Sequence, residues 1–211
     1  MKKKYGAGEK DILPKQDSLE TIAAEVLTCT KCLLSKTRKN AVPGEGHLNA
    51  KVIFIGEAPG YWEDIKGRPF VGDAGKFLDS LLSEIGFSRE DVFIGNVLKC
   101  RPPGNREPQP SEVQACTPYL DRQIKVIQPR VIVTLGNYST AYVFSKGGLA
   151  FTSITKVHGK FYDVSLLGMK VTVFSTFHPA AALYYPKYKQ LIIEDFKLLK
   201  ERLEKEGIIT Y

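Results

Sequence analysis

No apolar run in the 211 residues reaches the length needed to cross a membrane. The basic opening, MKKKYGAGEKD, is followed by no apolar stretch, so a secretory signal is not expected. Residues 1–16 instead read as a disordered basic tail ahead of one domain spanning 17–211, and the cytoplasm is the default compartment. Glycine-rich phosphate loops are also lacking. No G-x-G-x-x-G follows the first apolar strand and no G-x-x-x-x-G-K-[ST] occurs, which gives little support to a nucleotide-binding α/β protein. There is no internal repeat, and the length suits a single domain with a proper core.

Charge of one sign is in excess. Thirty Lys and Arg against 23 Asp and Glu give a formal net charge of +7, which suits a polyanionic partner such as nucleic acid and equally suits a merely soluble basic protein. Cysteine is scarce, with four residues at Cys29, Cys32, Cys100 and Cys116. Without an export signal, disulfides are disfavoured and metal or catalytic roles are favoured. Only one C-x-x-C pair is present, whereas zinc ribbons usually offer two. Sixty-seven residues separate Cys32 from Cys100 and fifteen separate Cys100 from Cys116. Four thiolates at these spacings suit a tetrahedral zinc or an iron–sulfur cluster, and spacing does not decide between them.

Along the chain, Asp17 and Glu20 look like a capping box for a helix carrying Leu19, Ile22, Ala23, Val26 and Leu27. Residues 51–55 read as a buried strand, followed by a long loop holding Trp62, Asp64, Arg68 and Phe70. Residues 73–85 read as a helix ended by Gly86, residues 92–98 as a second strand, and residues 99–110 as a Pro-rich basic loop. A helix from Ser111 to about Ile127 with Pro118 inside it, a strand over 131–135 and a helix around 139–144 follow. Residues 161–164 and 170–174 suggest a hairpin around Leu167-Gly168, and a closing helix carries Leu191, Ile192, Phe196, Leu199 and Leu203. Strands alternating with helices predict an α/β fold, a single domain with a mainly parallel four-stranded central sheet flanked by helices. In such folds ligands sit outside the carboxyl ends of the strands, and Glu57, Asn96 and His178 each fall at or near such an end.

The segments Gly56-Glu-Ala-Pro-Gly60, Glu63-Asp64 and Gly67-Arg-Pro-Phe-Val-Gly72 resemble the first motif of the family 4, iron–sulfur, uracil-DNA glycosylases. Gly95-Asn-Val-Leu-Lys-Cys-Arg-Pro-Pro103 resembles their second motif region, His178-Pro-Ala-Ala their last, and the four cysteines match their cluster ligands. The resemblance covers roughly residues 19 to 205, and the motifs are weak singly but specific in this order and combination. It implies a uracil-DNA glycosylase-like fold, a [4Fe–4S] cluster on Cys29, Cys32, Cys100 and Cys116, and release of uracil from single- or double-stranded DNA in base excision repair by hydrolysis of the N-glycosidic bond.

Site roles follow from the resemblance together with the chemistry of each group. Asn96 offers a donor and an acceptor to uracil, and cytosine presents the reversed pattern. Phe70 is expected to stack on the flipped base, and His178, helped by the backbone N–H of Ala58, to meet the charge that builds on uracil O2. Glu57 is expected to position water or to stabilise the oxocarbenium ion, or else merely to organise its loop. Glu63 falls where relatives set a bulky group against uracil C5, which would exclude thymine by contact, with a solvated loop carboxylate as the bland reading. Lys99, Arg101 and Arg106 are candidates for phosphate contact, Leu183 or Tyr184 for a wedge filling the gap left by the base, and Lys187 for the DNA backbone. His47 and His158 read as structural. A monomer is expected, and a sliding clamp is a candidate partner. The competing readings are a glycosylase of broader substrate range and a non-enzymatic iron–sulfur protein that binds nucleic acid.

Overall fold

A computed structural model of the chain describes residues 17–209. The tail at 1–16 lies outside the described residues, as do residues 210 and 211.

The helices are α1 (Leu19–Thr28), α2 (Tyr61–Lys66), α3 (Asp73–Glu84), α4 (Pro110–Ile127), α5 (Asn137–Lys146), α6 (Ile154–Val157), α7 (Ala181–Tyr184) and α8 (Pro186–Lys205). The strands are β1 (Glu45–Gly46), β2 (Val52–Gly56), β3 (Phe93–Asn96), β4 (Val131–Leu135), β5 (Phe161–Leu166) and β6 (Met169–Thr176). They form one six-stranded sheet in the order β1-β3-β2-β4-β6-β5. The inner four, β3-β2-β4-β6, are parallel, as alternation of strand and helix predicts. Two antiparallel edges enlarge the expected four-stranded sheet: β1 pairs with β3, and β5 pairs with β6. The β5–β6 hairpin was legible because Leu167 and Gly168 both take positive φ, 53° and 85°, as a two-residue primed turn requires. β1 is two residues long and sits among glycines, which carry no strand signal.

β2 and β4 are buried at every position, as strands covered by helices on both faces must be. Their Val, Ile, Phe and Leu side chains join residues of α3, α4 and α8 in one core. A smaller cluster holds Ile22 and Val26 of α1, Leu34, Leu98, Cys100, Cys116 and Tyr119. Arg122 of α4 fastens α1 across this cluster by pairing with both Asp17 and Glu25. The α1 cap is Ser18, whose hydroxyl accepts from Thr21 N–H; Asp17 is drawn instead to Arg122. α4 begins at Pro110, one residue before the serine at which the helix was expected to start, and Glu112 supplies the capping contact to Gln109 N–H. The stretch read as a loop after β2 contains the one-and-a-half-turn α2, too short to show a periodic pattern.

Candidate active site

The tips of β2, β3, β4 and β6 point to one end of the sheet. There a cavity of about 300 Å³ is lined by Glu57, Ala58, Pro59, Gly60, Glu63, Phe70, Ala74, Asn96, Pro102, Asn105, Arg106, His178 and Ala180. Glu57, Ala58, Glu63, Phe70, Asn96, Arg106 and His178 were singled out by sequence. Pro59, Gly60, Ala74, Pro102 and Ala180 were not, because small or proline residues carry no chemical signal, nor was Asn105, a loop amide that accepts from Arg101 Nε.

Local backbone pairing sets the relative positions. Beyond the strands, Val97 N–H donates to Gly56 O and Leu98 N–H to Glu57 O, which locks the two motifs side by side. Gly56 must be glycine: a Cβ there would fall 2.4 Å from Asn96 Oδ1 and 2.7 Å from Phe70 Cζ. Gly136, at the end of β4 with φ of 94°, leaves the space in which His178 sits.

Asn96 is 2% exposed, and its Oδ1 is buried without a hydrogen-bond partner among the described residues. A buried orphan acceptor costs about 1–3 kcal/mol, so such groups are rare outside functional sites. Phe70 is held at a φ of 50°, a region costing a non-glycine residue roughly 1–3 kcal/mol. Arg89 holds that conformation by donating to the carbonyls of Pro69 and Phe70 while pairing with Glu45 and Asp79. The ring of Phe70 lies 5.5 Å from that of His178, nearly parallel at 25°.

Desolvation pushes the His178 pKa down to about 4, so the imidazole is neutral at physiological pH. Its Nδ1 accepts from Ala180 N–H at 3.1 Å, and therefore the ring proton sits on Nε2. Burial, reinforced by the charge of Glu107, raises the Glu57 pKa to about 7. Glu107, exposed in the Pro-rich loop, was not anticipated, since one acid in a mixed-charge loop carries no pattern.

Glu63 is neither solvated nor free. One carboxylate oxygen accepts from Val71 and Gly72 N–H and the other from Gly60 N–H, so it ties both ends of the loop that presents Phe70.

The basic candidates separate. Lys99 is 1% exposed, and its ammonium donates to Gln123 Oε1 at 2.7 Å, so the expected phosphate contact by this side chain is corrected: it is a core residue. Its burial lowers its pKa to about 8. Arg106 makes a two-pronged pair with the buried Glu112, bracing the Pro-rich loop beside the cavity. Arg101 stays partly accessible, with Nε donating to Asn105 Oδ1. Leu183 and Tyr184 on α7 are 48% and 76% exposed, three and four residues beyond the cavity-lining Ala180. Lys187 is exposed, its ammonium over the Tyr188 ring. His158 is engaged with Asp195, and His47 Nδ1 accepts from Asn49 N–H; both lie outside the cavity lining.

All four cysteines line a second, small cavity together with Val26, Lys31, Arg38, Lys99 and Tyr119. None is in a disulfide, and among the described residues no group of three or more His, Cys, Asp or Glu side chains is arranged to hold a metal ion. Two N–H donors reach the sulfurs, although burial raises the Cys100 and Cys116 pKa values. Arg38 donates to Cys100 Sγ at 3.0 Å, and the backbone N–H of Lys99 donates to Cys116 Sγ at 3.1 Å. Burial holds the Cys116 thiol up at about 12, so a thiolate there requires a strong compensating positive charge.

The description "Uracil DNA glycosylase superfamily" matches residues 43–200, which contain the whole cavity wall, and the chain belongs to that superfamily. The chain is 56% identical over 193 residues to a Type-4 uracil-DNA glycosylase of Saccharolobus solfataricus, covering 91% of this chain and 89% of that one. It is 50% identical to a Type-4 enzyme of Archaeoglobus fulgidus, over 88% of this chain and 93% of the relative. It is 45% identical to one of Thermotoga maritima, over 92% and 98%. Within the superfamily, then, the chain is a member of the Type-4 uracil-DNA glycosylases.

Proposed function

We propose that the chain removes uracil from DNA by hydrolysing its N-glycosidic bond, leaving an abasic site for repair. The observation that carries this reading is the unpaired Oδ1 of Asn96 in a cavity shared with Phe70 and a neutral His178.

A uracil turned out of the stack stacks on Phe70, which holds any base ring without selecting one. Asn96 selects. Its Oδ1 accepts from uracil N3–H and its amide donates to O4, whereas cytosine places an acceptor at N3 and a donor at N4. As the C1′–N1 bond breaks, the electron pair leaves with uracil and the sugar becomes oxocarbenium-like. His178 Nε2–H donates to O2, where part of the negative charge collects, helped by the N–H of Ala58. Because the imidazole is already neutral, this donor is fixed before the reaction and needs no proton transfer. Water adds to C1′ and Glu57, as carboxylate, takes its proton. Glu63 acts on the base through the loop it ties, as well as by its place in the wall near C5.

The four cysteines would hold a [4Fe–4S] cluster. They come from the end of α1, the turn after it, the segment after β3 and α4. When bound, the cluster would supply a further crosslink among segments that already meet through the smaller core and the Arg122 ion pairs, and would steady the Pro-rich loop carrying Arg101 and Arg106. DNA is the partner this reading requires. Arg101, Lys187 and the exposed Leu183–Tyr184 tip would meet it, the last as a wedge. No helix among the described residues is long and apolar enough to cross a membrane.

The deciding experiment is incubation with an oligonucleotide carrying one uracil, followed by alkali. Strand scission at the uracil supports the reading; an intact strand after prolonged exposure refutes it.

A further inference from the structure

Beside the cavity mouth lies a surface whose two aromatic rings none of the roles above uses. Tyr61 and Trp62 open α2 and are 51% and 53% exposed. Their rings meet edge to face, with centroids 5.1 Å apart. The Arg101 guanidinium sits over the Tyr61 ring at 5.2 Å. A Cβ built on Gly72 would lie 3.4 Å from Trp62 Cδ1, so the indole is seated against a glycine and leaves its other side to solvent. Burial alone gives no reason to keep two large aromatic rings half in water.

The patch is continuous with the cavity wall. Gly60, which caps α2, and Glu63, on its first turn, both line the cavity. The two acids of α2 are turned away: Glu63 is spent on backbone N–H groups, and Asp64 accepts from the N–H groups of Lys39 and Asn40. Exposed aromatic faces flanked by a guanidinium are what an unstacked base binds, through stacking and cation–π attraction. A base still paired in a duplex keeps its faces against its neighbours and offers none.

We propose that Tyr61, Trp62 and Arg101 form a platform for an unpaired base next to the flipped uracil on the same strand, giving the enzyme a grip on single-stranded DNA. This rests on the uracil-excision reading, and excision by the unsubstituted chain tests that reading separately.

Trp62 is the sole tryptophan of the chain, so its fluorescence reports the platform alone. The probe is a short single strand carrying one 2′-fluoro-2′-deoxyuridine, whose fluorine opposes positive charge at C1′ and slows cleavage; the comparison is the same strand fully paired. The indole signal is expected to change saturably with the single strand. Trp62→Ala should weaken single-strand binding roughly 10- to 100-fold and weaken duplex binding much less, while Trp62→Phe, which keeps a stacking face, stays within a few-fold of the unsubstituted chain. A signal that no DNA alters, equal losses on both substrates, or no loss with Trp62→Ala overturns the proposal. A signal that responds only to a protein partner does so too. If Trp62→Ala does not fold, the fluorescence titration and Trp62→Phe decide alone.

Discussion

Asn96→Asp exchanges one amide nitrogen for oxygen at almost constant volume, in a position that is 2% exposed. With uracil in place, the new oxygen faces O4, and two acceptors are left opposed where a donor met an acceptor. Each buried polar atom left without a partner costs about 1–3 kcal/mol. The pair therefore raises the barrier for uracil by roughly 2–6 kcal/mol, or about 30- to 10⁴-fold in kcat/KM. The same burial disfavours ionisation of the introduced carboxyl and raises its pKa. In its protonated form it offers one O–H donor and one C=O acceptor, which serve cytosine N3 and N4 with the proton on one oxygen and uracil N3 and O4 with it on the other, so the loss on uracil belongs to the ionised form. Cytosine excision should then appear, and should grow as pH is lowered. The assay uses matched oligonucleotides with one uracil or one cytosine, cleaved by alkali at abasic sites. A uracil-to-cytosine preference that stays at the level of the unsubstituted enzyme would remove Asn96 from base recognition and refute the reasoning.

Glu57, with its pKa near 7, should make kcat/KM rise as pH climbs through about 7, and Glu57→Gln should flatten that limb; an unchanged profile assigns the ionisation elsewhere. The same shift acts on stability with the opposite sign. A carboxyl that holds its proton more tightly folded than unfolded stabilises the fold below about pH 4.5, and that contribution is lost as pH rises toward 7, which thermal melts across the window measure. His178→Ala should lower kcat by roughly 10²–10³-fold with little effect on DNA binding, and a defect confined to binding contradicts its role at O2. Arg101→Ala should reduce the salt dependence of DNA binding by about one ion, whereas Lys99→Ala should leave the slope alone and cost roughly 1–3 kcal/mol of stability by orphaning Gln123. Holo-protein should be brown and contain iron and labile sulfide, and a colourless protein with one zinc per chain would refute the cluster.

The parallel sheet was legible because β2 and β4 are short, mostly apolar runs, buried on both faces, and because helices with a periodic apolar face, α3 and α4, alternate with the strands. Its edges were not: β1 is held by pairing with β3 rather than by its own composition. Glu57, Asn96 and His178 could be brought together in advance because each falls at or near the end of a strand, and strand ends converge in this architecture, whereas Ala58, Glu63 and Phe70 came from the family resemblance. Sequence gave no means of telling Lys99 from Arg101. Both are cations in one basic stretch flanking Cys100, yet Lys99 turns inward to Gln123 while Arg101 turns out over Tyr61. That difference is fixed by α4 packing from a distant part of the chain. Glu63 was hidden for a similar reason, since its three backbone donors lie up to nine residues away and a carboxylate in a loop reads as solvated until the loop closes on it.

The cavity concentrates costs that the rest of the fold avoids: an orphan acceptor on Asn96, a left-handed Phe70, a carboxyl held half-protonated and an imidazole denied its charge. None of these helps the chain to fold, and Phe70 and His178 are held by specific braces. Arg89 grips the carbonyls on either side of the Pro69–Phe70 junction, Glu63 closes the loop around the same ring, and Ala180 N–H fixes the imidazole tautomer. In the proposed mechanism, groups held this way meet a flipped base without rearranging, so the reorganisation that water would demand during bond cleavage is met during folding instead. Catalytic power in this site therefore depends on the braces as much as on the groups that touch uracil.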